Sequence, residues 1–210
     1  MIIAVDGPAA SGKGTIAKAL ARHYGLPHLD TGLLYRAVGW GVMQSGHAES
    51  EVEALHACAF SPELLDNEAL RSEAVGSMAS RVSAYPSVRA ALNAMQVNFA
   101  NQPGGAVLDG RDIGTVIAPH ARAKLFVTAS VAERARRRFL EMQRSGLPAD
   151  LEALAADIRA RDDRDMNRAA APLRAAEDAM LLDTTTLPVD DAVRAAIALV
   201  EGRLTATRNA

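Results

Sequence analysis

Residues 2–15 read IIAVDGPAASGKGT and carry the strongest structural signal in the chain. The apolar run at 2–6 predicts a buried strand, and a helical pattern follows the loop. Between them, Gly7, Gly12 and Lys13 have the spacing of a P-loop, in which backbone N–H groups and a lysine hold the phosphates of a nucleotide. The N-terminus of the next helix favours the same anion. Strand, loop and helix in this order favour nucleotide binding over a chance glycine-rich turn.

The sequence also separates this chain from two other classes of P-loop protein. GTPase switches carry an Asn-Lys-x-Asp motif, and no asparagine precedes any of the three lysines of this chain. The Leu-Ser-Gly-Gly-Gln signature of transporter ATPases is also absent from the sequence. The loop has a glycine where the usual pattern has Ser or Thr, with a threonine one position later. We expect the phosphates to contact Gly7, Pro8, Ala9, Ala10, Ser11, Gly12, Lys13, Gly14 and Thr15.

The rest of the chain alternates short apolar runs with helical patterns. Further strands are predicted at 106–109, 125–128 and 180–183, with a weaker one at 27–30. The helical patterns cover 14–24, 33–44, 67–83, 87–101, 131–144, 151–164 and 190–203. Buried strands that alternate with helices predict an α/β fold with a parallel sheet and right-handed crossovers. Residues 46–66 interrupt this rhythm.

The composition fits one α/β domain of 210 residues that needs no metal or disulfide to fold. The formal net charge is -2, so there is no overall basic field to hold nucleic acid or an anionic membrane. Cys58 is the only cysteine, which excludes an internal disulfide and favours a reducing compartment. The sequence has neither a leader pattern at Met1 nor an apolar run of membrane-spanning length. We therefore expect a cytoplasmic monomer.

Four further segments resemble one family of P-loop kinases, the bacterial cytidylate kinases. They are DTGLLYR at 30–36, AVLDGRDIGT at 106–115, RDDRDMNR at 161–168 and DTT at 183–185. The Gly-Lys-Gly-Thr of the loop is similar to that of the nucleoside monophosphate kinases. The resemblance implies one P-loop kinase domain over 1–210, with a five-stranded parallel sheet flanked by helices. It also implies an acceptor-nucleotide-binding region at 31–105 and a short lid at 145–170.

This resemblance implies a specific reaction. The protein would transfer the γ-phosphoryl group of ATP to CMP or dCMP, in pyrimidine nucleotide metabolism and with Mg²⁺ as cofactor. Its expected partners are then ATP, CMP and dCMP, with no nucleic acid and no membrane. The residues alone leave two alternatives open. One is another small-molecule P-loop kinase, for a different monophosphate or a metabolite such as shikimate. The other is a regulator that binds ATP without transferring phosphate.

Such a transfer needs cations and metal-binding acids more than it needs a catalytic histidine. A nucleoside monophosphate is already ionised, since its second pKa is about 6. The remaining task is positioning and charge neutralisation, for which the planar fork of arginine is suited. No histidine lies within the quoted motifs. We therefore interpret all five as structural or surface residues, namely His23, His28, His47, His56 and His120.

The resemblance assigns roles to individual residues. Lys13, Arg161 and Arg168 are the implied catalytic cations. Asp109 ends a predicted strand and is expected to hold Mg²⁺ through water. Asp112 would accept from the exocyclic amine that cytosine has and uracil lacks, while an arginine donates to the base. The implied contacts to the acceptor nucleotide are Thr31, Tyr35, Arg36, Ser80, Arg89, Arg111, Asp112, Arg161, Asp165 and Arg168.

The spacing of the basic residues near 161 allows two interpretations. If the segment is helical, Arg161, Arg164 and Arg168 share one face. Spacing alone favours an exposed ladder of i,i+4 pairs with Asp157 and Asp165. The resemblance favours phosphate binding instead, most clearly at Arg161 and Arg168.

Three other expectations concern local structure. We interpret Arg134 and Arg136–Arg138 as a solvated helix surface. Thr31 is predicted to cap a helix. Many members of the resembled family carry a small β-rich insert in the region 46–71, and this chain has no strand pattern to fill it.

Overall fold

The structure is a computed structural model that describes residues 1–208, with side chains described through residue 206. Its centre is a sheet of five parallel strands in the order β2-β3-β1-β4-β5. The strands are β1 (Ile2–Asp6), β2 (His28–Asp30), β3 (Ala106–Gly110), β4 (Ala123–Thr128) and β5 (Met180–Asp183). All five predicted strands are confirmed, including the weak one, and the predicted α/β fold class is confirmed with them.

Eight α-helices flank or extend this sheet within the described residues. They are α1 (Lys13–Tyr24), α2 (Thr31–Gln44), α3 (Glu51–His56), α4 (Glu73–Val82), α5 (Pro86–Ala100), α6 (Val131–Arg144), α7 (Leu151–Asn167) and α8 (Val189–Arg208). The helix predicted at 67–83 is divided, because Ser72 has an extended backbone and caps α4 through the N–H of Val75. A 3₁₀ turn, Glu68–Arg71, occupies the first part. The predicted cap at Thr31 is wrong, since Thr31 is the first residue of α2.

The C-terminal ends of three neighbouring strands place the candidate site residues side by side. Strand β1 runs into the phosphate loop, β2 into α2, and β3 into the loop that carries Arg111 and Asp112. Asp30 pairs in register with Asp109, and Asp6 pairs with Gly110. Because parallel strands end at one edge of the sheet, these three connections meet there, where ligands of α/β folds bind.

The two faces of the sheet are covered by different helices. On one face, Ile3 and Val5 of β1 pack in a buried cluster with residues of α1 and α8. On the other face, Ala4 joins a cluster with Leu108, residues of α5 and the π-helical turn Ile113–Ile117. Alternate residues of β1 thus face opposite layers, as the side-chain period of a strand requires.

A second hydrophobic core joins the helices of the region 31–105. Buried residues of α2, α4 and α5 form it, among them Leu34, Val38, Val82 and Leu92. Residues 46–71 add α3 and two 3₁₀ turns, and no strand lies within this fully described range. The expectation that this chain lacks a β-rich insert is therefore confirmed.

Helices α6 and α7 pack against each other as a hairpin. Ala135, Leu154 and Ile158 form its buried hydrophobic cluster, and Phe139 and Met142 pack against them. The turn that joins the two helices includes Gly146 in the left-handed conformation. No helix within residues 1–208 is both long enough and apolar enough to cross a membrane.

The α2–α4 crossing leads to a stability prediction. A Cβ at Gly39 would lie 3.0 Å from the backbone nitrogen of Ala79 and 3.2 Å from the Met78 side chain, whereas one at Gly202 of α8 would meet nothing within 4 Å. We expect Gly39→Ala to lower the free energy of unfolding by about 1 kcal/mol, because overpacking outweighs the gain in helix propensity. Gly202→Ala should raise it by about 0.5–1 kcal/mol. Urea unfolding checks both values, and a stabilised Gly39→Ala variant would contradict the packing argument.

Candidate active site

The phosphate loop has the backbone that an anion cradle requires. Gly7 and Gly12 have φ values of 154° and 89°, and a Cβ at Gly7 would collide with the carbonyl oxygen of Val127. Ala10 also has a positive φ, 59°, which is uncommon for a residue with a side chain. Lys13 Nζ reaches back across the loop to the carbonyl of Pro8 at 3.5 Å. The loop is therefore curled in the way that the sequence predicts.

Lys13 lies in a cleft among charges of both signs. The cleft is lined by Lys13, Asp30, Arg36, Asp109, Arg111 and Arg161, together with residues of the loop, α4, α6 and α7. Burial, and then the nearby Arg111 guanidinium, lower the pKa of Lys13 to about 8. An anion in this cleft would favour the charged ammonium again.

Another cavity, larger than the cleft of Lys13, lies on the other side of the loop. It has a volume of about 580 Å³, within the usual range for small-molecule sites. Residues of the loop, α6, the start of α8 and Thr184 line it. Arg137 crosses its wall and donates to the hydroxyl of Thr184 at 3.0 Å and to the carbonyl of Thr184 at 2.5 Å.

The surroundings of this cavity show that the prediction of a solvated helix surface at Arg134 and Arg136–Arg138 is wrong for most of these residues. Among Arg134 and Arg136–Arg138, only Arg136 is well exposed, and it pairs with Glu133. Arg138 pairs with Glu73 of α4 at 2.6 Å. Arg134 is buried. The sequence prediction missed Arg134 and Arg137 because a helix-surface pattern does not reveal that a loop and a second helix cover one side of the helix.

A third and narrower cavity, which we call the acceptor pocket after the contacts that the resemblance implies, is lined by most of those residues. It is lined by Thr31, Gly32, Tyr35, Ala79, Ser80, Ser83, Arg89, Gly110, Arg111, Asp112, Arg161, Asp165 and Arg168. Every residue of the implied acceptor set except Arg36 is among them. Spacing alone would leave Ser80 and Arg89 on a helix surface, yet both are buried.

One end of this pocket is built around Asp112. Its carboxylate forms a buried ion pair with Arg89, and Arg168 Nη2 lies 3.6 Å from its other oxygen. The Arg89 guanidinium also lies over the ring of Tyr35, 5.7 Å from its centre. Burial raises the pKa of Asp112, while Arg89 and Arg168 oppose that rise. The result is a carboxylate and an arginine aimed into one small pocket.

The other end is built around Asp165 of α7. Its carboxylate accepts from Arg111 Nε at 2.9 Å and from the Ser80 hydroxyl at 3.3 Å. Burial alone would raise the pKa of Asp165, but the positive charges of Arg111 and Arg161 hold it below its usual value. Asp165 thus stays ionised and fixes Arg111 between the acceptor pocket and the cleft of Lys13.

Two buried arginine donors have no hydrogen-bond partner among the described residues. They are Arg161 Nε and Arg168 Nη2, the second of which still lies within ion-pair distance of Asp112. Burial, followed by the repulsion of Arg111, lowers the pKa of Arg161 to about 10. Since buried donors are normally satisfied, these groups mark where an anionic ligand is expected. They favour the phosphate-binding interpretation over an exposed ladder of ion pairs.

The helix α7 also differs from the spacing argument in detail. It ends at Asn167, so Arg168 lies just beyond it with an extended backbone and donates to the carbonyl of Ala171 at 2.7 Å. Arg164 is exposed and contacts only the Ser80 hydroxyl, at 3.4 Å. Arg161 and Arg168 therefore enter the pocket while Arg164 remains at its edge.

Arg36 lines the cleft of Lys13 instead of the acceptor pocket. Its Nη1 donates to the carbonyls of Leu70 and Ser72 at 2.5 and 3.0 Å, which ties the short segment before α4 to α2. A Cβ at Gly76 would come within 2.7 Å of the Arg36 guanidinium, so this glycine makes room for it.

Two further contacts lie outside the sequence prediction. His28, which was interpreted as structural, bonds to the carboxylate of Asp109 at 2.7 Å through Nε2. The buried Asp6 carboxylate accepts from the N–H groups of Ile113 and Gly114, both at 2.8 Å. Burial raises the pKa of Asp6 to about 7. Asp6 thereby fixes the π-helical turn that directly follows Asp112, which neither periodicity nor motif spacing reveals.

Comparisons with known proteins identify relatives over almost the full chain. Residues 3–202 match the family model described as cytidylate kinase. The chain is 59% identical over 204 residues to a cytidylate kinase of Rhodopseudomonas palustris (strain BisA53), covering 96% of each chain. It is 58% identical over 203 residues to a cytidylate kinase of Bradyrhizobium sp. (strain ORS 278), again covering 96% of each. A solved structure of an uncharacterized protein from Eubacterium ventriosum ATCC 27560 has a TM-score of 0.54 at 16% identity, covering 96% of this chain and 98% of that one, and supports the fold alone.

The environment of Lys13 predicts how nucleotide affinity depends on pH. The free site loses its ammonium charge as pH rises through about 8, whereas bound phosphates hold the proton. Binding above that pH must then take up a proton, so we expect ATP affinity to fall by up to about tenfold per pH unit. Titration calorimetry between pH 7 and 9.5 measures this fall. The Lys13→Arg variant, whose cation does not titrate in this range, serves as the control, and a parallel decline in both proteins would refute the assignment to Lys13.

Proposed function

The chain belongs to the cytidylate kinase family, and from this premise we propose that the phosphate loop and the acceptor pocket together form its active site. The protein transfers the γ-phosphoryl group of ATP to CMP or dCMP, giving ADP and CDP or dCDP. This family membership decides between the alternatives that the residues alone left open. What remains to propose is which residues perform the transfer and how.

One observation carries this proposal. Arg161 lines both the acceptor pocket and the cleft of Lys13, and its buried Nε has no hydrogen-bond partner among the described residues. A donor in that position can bind a group that passes from one site to the other. We therefore take the space around Arg161 as the place of transfer, with Lys13 on the donor side and Arg168 on the acceptor side.

The donor nucleotide would bind on the loop side of this centre. The N–H groups of the loop and of the first turn of α1 face its phosphates, and Lys13 balances the charge of the β- and γ-phosphates. The 580 Å³ cavity between α6 and α8 is large enough for the base and ribose. Arg137 and Thr184 in its wall are then the residues nearest to that part of ATP.

The acceptor nucleotide would bind with its base at Asp112 and its phosphate at the arginines. Asp112 accepts from the exocyclic amine of cytosine, and Arg89 donates to the acceptor atoms of the base. Thr31, Tyr35, Ser80 and Asp165 surround the rest of the nucleotide, with Arg36 toward its phosphate. UMP would turn a carbonyl toward Asp112 and leave a buried carboxylate without a donor.

The chemistry then depends on position and charge. The acceptor phosphate is already an anion at neutral pH, so no side chain has to remove a proton from it. Lys13, Arg111, Arg161 and Arg168 lower the repulsion between the two nucleotides and neutralise the charge on the transferring group. A cleft that excludes water also protects ATP from hydrolysis.

Mg²⁺ fits the donor set beside the loop. Asp109 turns one oxygen to His28 and the other toward Gly14, and Asp30 lies in the same cleft. The residues described by the structure contain no cluster of three or more acidic, His or Cys side chains that could hold a metal unaided. This agrees with an ion held mainly by phosphate oxygens and water, with one or two carboxylates. We propose Asp109 as its carboxylate, acting through water; bound Mg²⁺ would neutralise charge on the β- and γ-phosphates.

We extend the proposal to the organisation of the chain. Residues 1–210 act as one kinase domain, in which 31–105 binds the acceptor and 145–170 serves as the lid. The hydrophobic core of α2, α4 and α5 supports this division for the acceptor region, and the core that α7 shares with α6 joins the lid to the rest of the domain. We further propose a monomer that works in the cytoplasm, where its nucleotide substrates and a reducing environment for Cys58 are found.

The role of Asp112 can be tested by one substitution. In Asp112→Asn, the amide presents a donor as well as an acceptor, so the site distinguishes the cytosine amine from the uracil carbonyl less well. We expect the ratio of kcat/KM for CMP to that for UMP to fall by about 10- to 100-fold, while the KM for ATP changes little. A coupled assay of ADP release with CMP, dCMP, UMP, AMP and GMP measures this. An unchanged CMP-to-UMP ratio would remove Asp112 from base recognition.

A further inference from the structure

Arg134, at the start of α6, connects three parts of the molecule through one guanidinium group. The side chain is 4% exposed. Its Nε donates to the carbonyl of Ala129 at 2.9 Å, and its Nη1 donates to the carbonyl of Ala9 in the phosphate loop at 3.2 Å. An exposed arginine of an amphipathic helix would make neither contact. The sequence pattern of α6 therefore does not reveal that Arg134 is buried and contacts the phosphate loop directly.

The same guanidinium holds Asp162 of α7 in a two-pronged ion pair. Arg134 Nη1 lies 3.0 Å from one carboxylate oxygen, and Nη2 lies 2.6 Å from the other. Such fork-to-fork pairs fix orientation as well as distance. A buried pair of this kind contributes little net stability compared with apolar residues of similar size. Its value to the fold is therefore geometric.

Arg134 contacts two residues, Ala9 and Asp162, that lie next to groups of the proposed active site. Ala9 precedes Ala10, which has a positive φ although it is not a glycine. Asp162 directly follows Arg161 in α7. An ion pair that holds the helix at Asp162 therefore also fixes the backbone position from which the Arg161 side chain extends. The Arg134 side chain thus links the conformation of the phosphate loop to the backbone position of Arg161, the arginine at the proposed place of transfer.

Arg161 lies among charges of both signs. Arg111 and Arg36 repel it, whereas the carboxylates of Asp165 and Glu73 attract it. Its Nε has no hydrogen-bond partner among the described residues. The position of Arg161 between these charges therefore depends on where its helix places it, and an anchor at the next residue fixes that place.

We propose that the Arg134–Asp162 ion pair is the positioning element that holds Arg161 in register with the phosphate loop for phosphoryl transfer. Both residues act through others: Asp162 through Arg161, and Arg134 through Asp162 and the carbonyl of Ala9. The proposal rests on the proposed role of Arg161 at the place of transfer. It adds two positioning residues for the reaction, neither of which contacts a nucleotide.

The first test compares single variants of the full-length protein. Asp162→Asn and Arg134→Lys remove the two-pronged pairing but keep the size of each side chain. We expect kcat to fall about 100-fold, as for a misplaced catalytic group, while the KM for CMP changes less than threefold. Asp163→Asn is the matched control, because Asp163 is the exposed neighbour on the same helix; it should retain wild-type kinetics. Wild-type kcat in Asp162→Asn would overturn the proposal.

A double-mutant cycle shows whether Asp162 acts through Arg161. If it does, Asp162→Asn should slow the Arg161→Lys variant by less than threefold, since the group to be positioned is already altered. Two independent effects would multiply to the full product, and that result would overturn the proposal. Arg161→Lys by itself tests the proposed function. Wild-type activity in that variant defeats the assignment of Arg161, whereas a slow Arg161→Lys with a fast Asp162→Asn defeats only the positioning role.

A third variant separates positioning from stability. Arg134→Met combined with Asp162→Leu replaces the buried pair by apolar side chains and is expected to keep the melting temperature within a few degrees of wild type. We expect its kcat to remain as low as that of Asp162→Asn. A double variant that melts normally and regains wild-type kcat would show that the pair has no role in the reaction.

Discussion

The proposed active site depends on holding several cations close together in one cleft. Lys13, Arg111 and Arg161 share this cleft with the carboxylates of Asp30 and Asp109, and burial together with repulsion among the cations lowers the pKa of Lys13 and of Arg161. The crowding of the cations is unfavourable in itself, so the fold and the neighbouring carboxylates have to compensate for it. Parallel strands that end at one edge supply the positions, and buried carboxylates such as Asp165 hold the arginines in place. The same unfavourable arrangement gives two polyanions a strong reason to bind.

The fold could be predicted from the sequence because its signals are local. Apolar runs mark all five strands, and the loop between β1 and α1 has a spacing that only a few structures use. Predictions were wrong where a single residue decides a boundary. Ser72 follows one helical turn and is the N-cap residue of α4. The N-cap residue of α2 is Asp30 and not the predicted Thr31. Periodicity over many residues cannot detect such single-residue effects.

The phosphate loop could be predicted from its spacing, but the acceptor side of the candidate site could be predicted only through resemblance, because its parts come from distant segments. Asp112 pairs with Arg89 and Asp165 with Arg111, and no pattern in one helix specifies such partners. Arg134 shows the opposite error, since an amphipathic helix pattern assigned to water a residue that α7 and the loop bury. Asp6 ends β1 as predicted, and its side chain also holds the turn that follows Asp112, which the sequence pattern does not indicate.

The close approach of α2 and α4 at Gly39 has a consequence for the acceptor pocket. A backbone atom of α4 lies only 3.0 Å from where a Cβ of Gly39 would stand, so the two helices are in close backbone contact there. Thr31 and Ser80, one from each of these helices, both line the pocket. A substitution at Gly39 that pushes the helices apart would therefore also shift residues of the pocket lining, although position 39 lies outside it.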